Sequence, residues 1–531
     1  MNPEIRYSEF GIHVFSQICC IHDVSTEKED EWRKAMKEDN SKKVFIISLV
    51  ICAAIAVWAV GFNKQFTVAS NAMFAFFTGK FGWLYLASML AFVAFAIFIA
   101  AGKWGKIKLG NDDEKPQFST LTWFAMLFGC GMGVGLVFWG VAEPLSFYLT
   151  PAAGVNPETP EAANFALKAA FMHWGVSPWA NYAIIGLGLA YFGFRKKQKS
   201  MISTTLEPLI GAKANGWLGM VVDVLAVFAT VAGVVTSLGL GVMQINSGLN
   251  MVLHVPSNLK VQIIIILIIS VIYITTAASG IEKGIAAISD INLVLFVTLI
   301  FAGFILGPKM EILNGFIGGI GDYVQNFVKD SLLVNAYGDN SWTFNWRIFY
   351  WAWFIAWAPF VGVFIARISR GRTIREFILG VALVPGLTSI VWFSIFGCLG
   401  LHLAQTGVLT HDQLAAIAAS PETGLFTVLQ YYPLTKIFSL VAIILLNTFF
   451  ITSANSGTFV LSMLTTNGEQ NPPKKKMVIW GVIQSVMAIG MMLAGGLKPL
   501  QTISLAAAFP FIFIMFAEMA SLVIALKKEK V

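Results

Sequence analysis

The chain has 531 residues, of which 57% are hydrophobic and only 12% charged, and its mean hydropathy is +0.73. So much apolar surface cannot be hidden inside a water-exposed globule, so the solvent around the chain is largely lipid. The formal charge of +7 sits in short basic runs between apolar spans, a pattern of membrane topology that excludes nucleic acid as a partner.

The first 43 residues are polar and mixed in charge, without a basic head, short apolar core and small-residue cleavage site. The first span, near residue 44, is therefore read as a retained anchor. Apolar segments long enough to cross a bilayer then recur at about 44–62, 82–101, 119–141, 165–192, 217–245, 259–279, 286–307, 346–366, 377–402, 436–464, 477–496 and 500–526. This predicts an all-α integral membrane protein of about twelve helices. Loops at 103–115, 195–213, 367–375 and 474–476 are basic, as are both chain ends, whereas 142–164 and 402–433 hold no interior Lys or Arg. An even number of spans with both termini cytoplasmic satisfies that asymmetry. Residues 310–330 form an amphipathic segment, with Ile312, Phe316, Ile320, Tyr323, Val324 and Phe327 sharing a face, expected to lie along the outer surface. Cys19, Cys20, Cys52, Cys130 and Cys398 have no metal-ligand spacing, so neither a transition-metal site nor a disulfide framework is implied.

The third span places Gly129, Gly131, Gly133 and Gly135 at alternate positions. Each glycine costs about 1 kcal/mol in helix propensity. The run is either a close-packing face or an unwound stretch offering backbone carbonyls to a cation. The fourth span sets Trp174, Trp179 and Tyr182 around a Gly175 to Pro178 break. Such rings form either a membrane-interface belt or a box for a desolvated cation, at on the order of 2 kcal/mol per contact. In the eighth, Trp346, Tyr350, Trp353, Trp357, Phe360 and Phe364 recur at offsets of four, three, four, three and four, which makes one aromatic stripe interrupted by Pro359. The stripe faces lipid, packs against a neighbouring helix, or binds a cation. The tenth carries adjacent Thr452 and Ser453, whose hydroxyls either bond back to the preceding turn or present hard oxygens to a small monovalent cation. Asp223, Asp290 and Glu143 fall near predicted span ends and are read as interfacial, and His173 as a neutral, hydrogen-bonded side chain. No nucleophile, base and orienting group come together, so an enzyme is not expected.

The motifs GMGVGLVFWGVAEPLSFY, HWGVSPWANY, FATVAGVVTSLGLG, FYWAWFIAWAPFVGVFIARISRGRTIREF and FFITSANSG occur in one order along the core. In this the chain resembles the betaine/choline/carnitine transporter family. The resemblance implies a leucine-transporter-like arrangement of two inverted five-helix repeats (119–307 and 346–526). Two extra helices (44–118) precede the repeats, the segment 308–345 joins them, and 1–43 and 527–531 are cytoplasmic ends. It implies a homotrimer in a bacterial inner membrane, alternating access and a quaternary-ammonium substrate held by Trp174, Trp179 and Tyr182 opposite Trp353, Phe354 and Trp357. Phe354 stands where the family usually has a second tryptophan. For sodium, the coupling ion, the resemblance implies Gly129, Met132, Phe449, Thr452 and Ser453, with a second site at Thr230 and Phe360. The hydroxyl partner of Thr230 is replaced by Val234, and Asn455 stands where an aspartate is common. No arginine occurs between residues 290 and 306, where sodium-independent exchangers of the family carry one. Sodium-coupled uptake of glycine betaine, choline or a related zwitterion follows. The alternatives are proton-coupled or exchange transport of ectoine, taurine, carnitine or a sulfonium compound, and, from another class, a channel or a non-transporting sensor.

Overall fold

A computed structural model describes residues 40–131, 133–279 and 282–530. Met132 and most of the N-terminal segment, with Cys19 and Cys20, lie outside the described residues. The described residues are helical, with one isolated antiparallel bridge from Lys108 to Thr373. Among them, ten helices are long and apolar enough to cross a membrane.

In chain order, the helices used below are α1 (Asn40–Gly61), α2 (Asn63–Ala101), α3 (Thr120–Gly131), α4 (Val134–Leu149), α5 (Pro160–Trp174) and α6 (Val176–Ala190). There follow α7 (Trp217–Leu253), α8 (Leu259–Ser279), α9 (Glu282–Leu306) and α10 (Lys309–Ser331). The last five are α11 (Thr343–Arg367), α12 (Ile374–Gln405), α13 (Thr435–Leu464), α14 (Lys474–Leu493) and α15 (Leu497–Leu526).

The third and fourth apolar segments each fold as two helices, α3 with α4 and α5 with α6, so neither is among the ten long spans. The second break is set locally by Gly175, whose non-helical backbone (φ −76°, ψ −132°) ends α5 and starts α6. Pro178 falls in the first turn of α6, where a missing N–H costs nothing. Gly175 is also wedged: an added Cβ would lie 2.8 Å from the Tyr323 hydroxyl, and that hydroxyl accepts the Val176 N–H freed by the break, at 3.0 Å.

Three sequence expectations change. α2 begins at Asn63 rather than near 82, because Phe66, Ser70, Phe74 and Thr78 form a buried stripe, with Phe77 and Phe81 against Phe509 of α15. Lys64, Asn71 and Lys80 dilute the hydropathy there without breaking the helical period. Pro359 does not interrupt α11; the helix continues through it, and the nearby Phe354 carbonyl is taken by the Asn181 side chain at 2.9 Å. In α10, Ile312 and Tyr323 are buried, but Val324 points outward at 66% exposure.

α11 packs most heavily on α6, α13 on α7, and α15 on α2, α7 and α11. α10 lies on α5 and α12. The aromatic stripe of α11 is therefore internal: Tyr350, Trp353 and Phe360 are buried and Trp346, Trp357 and Phe364 half-buried, which removes the lipid-facing alternative. At one end of the bundle, Glu529 just beyond α15 accepts hydrogen bonds from Tyr191 (2.8 Å) and Arg195 (2.8 and 3.0 Å) and pairs with Lys196 (2.6 Å). Arg195 also holds Asp112 at 2.7 Å, so the tail, the end of α6 and the 108–112 loop are tied together.

Candidate functional site

Gly135, near the start of α4, sets how closely the helices meet. A Cβ there would lie 2.6 Å from Trp353 Cη2 and 3.1 Å from Trp174 Cη2. Only glycine leaves room for both indoles, so the glycine run has a packing purpose at this position.

Around it the rings converge. Trp174, the last residue of α5, meets Trp353 edge-on at 6.0 Å and Phe354 at 5.5 Å. Trp353 and Phe354 lie 5.7 Å apart with nearly parallel rings. Tyr182 of α6 approaches Phe354 at 6.3 Å and carries Trp179 against it at 5.5 Å. Five of the six candidate substrate residues thus form one connected group. The sixth, Trp357, turns toward Phe360 (5.1 Å) and sits over Gly233 of α7, where a Cβ would touch its ring at 2.5 Å. Among the described residues, no acceptor meets the indole N–H of Trp353 or of Trp357, both buried. Aromatic faces that attract a cation and unpaired donors that suit an anion are therefore present within one turn of α11.

Behind the box lies a feature the sequence analysis misplaced. Glu143 does not reach solvent; it is fully buried in α4 and organises the rings. Its Oε2 accepts from the Trp174 indole at 2.8 Å and from the Tyr350 hydroxyl at 2.6 Å, while its Oε1 meets His173 Nδ1 at 2.6 Å. The His173 ring stacks on Tyr350 at 4.3 Å. Arg347 is buried beyond them, donating to the Asp330 carbonyl at 2.7 Å and lying over Trp342 and Trp351 at 5.4 and 5.7 Å. Phe393 of α12 closes the far side, 5.5 Å from Trp174. Tyr350 was legible as part of the stripe, but nothing in one dimension joins Glu143 to partners 30, 31 and 207 residues away. Asp223 is likewise buried, satisfied by the Ser203 N–H (3.0 Å) and hydroxyl (2.7 Å). Asp290 is exposed. Sequence reading also missed Glu518, fully buried in α15 against Gly188, with neither oxygen partnered among the described residues.

The candidate cation residues come from two places. Gly129 lies in α3, and Met132 is outside the described residues. Gly133 comes within contact of α13, where a Cβ on it would be 3.7 Å from Ser453 Oγ. Thr452 bonds back to the carbonyls of Thr448 (3.0 Å) and Phe449 (3.2 Å) and accepts from Asn292 at 3.4 Å, whereas the Ser453 hydroxyl has no hydrogen bond among the described residues. Of the second pair, Thr230 bonds back to Ala226 at 2.9 Å and is fully buried in α7, and Phe360 is buried in α11.

Residues 43–531 match the model of the betaine/carnitine/choline family of transporters. The chain is 47% identical over 489 residues to the glycine betaine transporter OpuD of Bacillus subtilis, covering 92% of this chain and 94% of that one. It is 44% identical over 490 residues to a probable glycine betaine transporter of Desulfitobacterium hafniense (92% and 97% covered). It is 42% identical over 495 residues to an ectoine/hydroxyectoine transporter of Virgibacillus pantothenticus (93% and 98% covered). With a match over nearly the whole length and a helical, multi-pass body around a polar-lined aromatic box, this chain belongs to the betaine/carnitine/choline family and is a membrane transporter rather than an enzyme.

Proposed function

We propose that the protein takes up a quaternary-ammonium zwitterion of the glycine betaine type by sodium-coupled symport with alternating access. The observation that carries this reading is the pairing of the Trp174, Trp353, Phe354 and Tyr182 rings with the unpartnered indole donors of Trp353 and Trp357. A trimethylammonium has no N–H to donate and is held by ring faces, while its carboxylate takes N–H donors. Two of the similar proteins carry glycine betaine in their names, which supports the same substrate class. The approach of Gly133 to the Ser453 hydroxyl, which has no hydrogen bond among the described residues, supports a sodium site shared by the glycine stretch and α13. In this reading the broken pairs α3–α4 and α5–α6 count as spans, giving twelve in two inverted repeats after two leading helices. The protein is a homotrimer in a bacterial inner membrane with both ends in the cytoplasm.

Uptake of glycine betaine by proteoliposomes tests the proposal. An inward sodium gradient drives accumulation, and Thr452→Ala combined with Ser453→Ala abolishes the dependence on sodium. Accumulation driven by a pH gradient in the absence of sodium would replace sodium by protons, and conductance without counterflow would make the protein a channel. Ectoine is the second reading, favoured by the similar ectoine/hydroxyectoine transporter and by the phenyl ring of Phe354 in the box. Competition between the two solutes decides between them.

A further inference from the structure

A cavity lies away from the box, on the outside of the bundle. It is an open groove of about 460 Å³ between α2, α6, α10 and α12. Its walls are apolar, with Ala96 and Ile97 of α2, Ala180 of α6, Phe327 of α10, and Leu379 and Leu383 of α12. The hollow exists because alanine occupies positions 96, 100, 180 and 382, where a larger side chain would close it.

One end of the groove is cationic. Arg375 is exposed there and held in place by backbone alone, its Nε donating to the Ala100 carbonyl at 2.8 Å and a terminal nitrogen to Gly102 at 3.4 Å. Among the described residues no carboxylate pairs with it. Glu376, next along the chain, is turned back to cap its own helix, accepting from the Thr373 N–H at 2.9 Å and hydroxyl at 3.1 Å. Lys103 and Lys106 are exposed on the same turn that Arg375 braces.

The length fits one leaflet. From Ala101 to Val93 along α2, and from Arg375 to Leu383 along α12, the groove spans eight residues. That is about 12 Å of helix, against about 15 Å for half of a bilayer's hydrocarbon core. An apolar slot of leaflet length, with a guanidinium at its mouth that no described carboxylate pairs, complements an acyl chain beneath an anionic headgroup. We propose that the groove holds an acyl chain of an anionic phospholipid whose phosphate is taken by Arg375. The deep end of that chain rests on Val176 and Tyr323, the two residues joined across the Gly175 break, so the lipid touches the joint that aims Trp174.

Native mass spectrometry of the purified full chain, titrated with phosphatidylglycerol or phosphatidylcholine carrying the same chains, tests this. The first lipid adduct on the wild type is expected to favour phosphatidylglycerol, and Arg375→Gln to cut that preference about fivefold. Ala382→Trp fills the groove and is expected to lose the adduct. Leu379→Trp, at an exposed position, does the same should Ala382→Trp fail to fold. Equal retention of the two lipids by wild type and Arg375→Gln overturns the proposal. So does a groove-filling variant that keeps its lipid but changes oligomeric state, because the groove would then be covered by a second copy of this chain.

Discussion

At the scale of single residues, Glu143 is the most consequential side chain that sequence reading misplaced. It lies in an apolar run close to a predicted span end, where a carboxylate ordinarily reaches water. Its two oxygens instead bind Trp174, Tyr350 and His173, with no contact to solvent. Removing the acceptor strands two donors in a dry place. Glu143→Ala is expected to destabilise the protein by on the order of 3 kcal/mol in thermal unfolding. It is also expected to weaken glycine betaine binding by freeing the Trp174 ring, whereas Glu143→Gln, which keeps one acceptor, falls between. Trp353→Ala removes a ring from the box and is expected to cost about 1–3 kcal/mol of substrate binding, read by fluorescence titration. Unchanged affinity would take Trp353 out of the site. The aromatic residues themselves were legible because tryptophan at helical spacing is conspicuous in an apolar chain. Which of them face one another was not, since Trp174 and Trp353 meet only through the fold, and Trp357, one turn on, turns toward α7.

At the scale of the helix, the broken segments were the most readable elements. Glycine and proline act on the backbone directly, so the stop after Trp174 follows from Gly175 and Pro178 whatever the tertiary packing. Pro359 shows the limit of that rule: inside a long helix held on all sides, the chain absorbs the lost hydrogen bond and continues. The early start of α2 was hidden for the opposite reason, because Lys64, Asn71 and Lys80 dilute the hydropathy around a buried stripe of Phe66, Ser70, Phe74 and Thr78. The glycine run left packing and unwinding open, and Gly135 satisfies the first directly. Gly135→Ala would push a methyl to 2.6 Å from Trp353 and 3.1 Å from Trp174. Both rings must move, and substrate affinity is expected to fall at least tenfold, about 1.4 kcal/mol, measured by equilibrium binding, while helix content is unchanged or rises.

For the whole molecule, the tail contact gives a testable pH response. Burial raises the Glu529 carboxyl, but hydrogen bonds from Arg195, Lys196 and Tyr191 outweigh it and hold the group down from its ordinary 4.5 to about 2. The folded state therefore binds this proton more weakly than the unfolded chain does. The contribution is complete above pH 4.5 and is lost as the pH falls toward about 2. Thermal unfolding in detergent is expected to show wild type losing more stability across that window than Glu529→Gln, and parallel curves would mean the tail contact contributes nothing. That the chain is a series of apolar membrane-spanning helices was readable from hydropathy, whereas ten of them, among the described residues, are long enough to span alone. The tie between a tail residue and the end of α6 was not, because charge alternation in KKEKV carries no hint of its partner.

The Glu143 node also bears on movement. One carboxylate is bonded to α5 through Trp174 and to α11 through Tyr350 while it belongs to α4. Separating α4 from either partner breaks a hydrogen bond to a fully buried carboxyl group, at about 1–3 kcal/mol each. α4, α5 and the first turns of α11 are thus bolted into one rigid block. The α4–α5 part of it meets the rest of the chain at Gly133, just before α4, and at Gly175, just after α5. Any motion that opens the box is expected to bend the chain at those two points while keeping the Glu143 contacts to Trp174 and Tyr350 together.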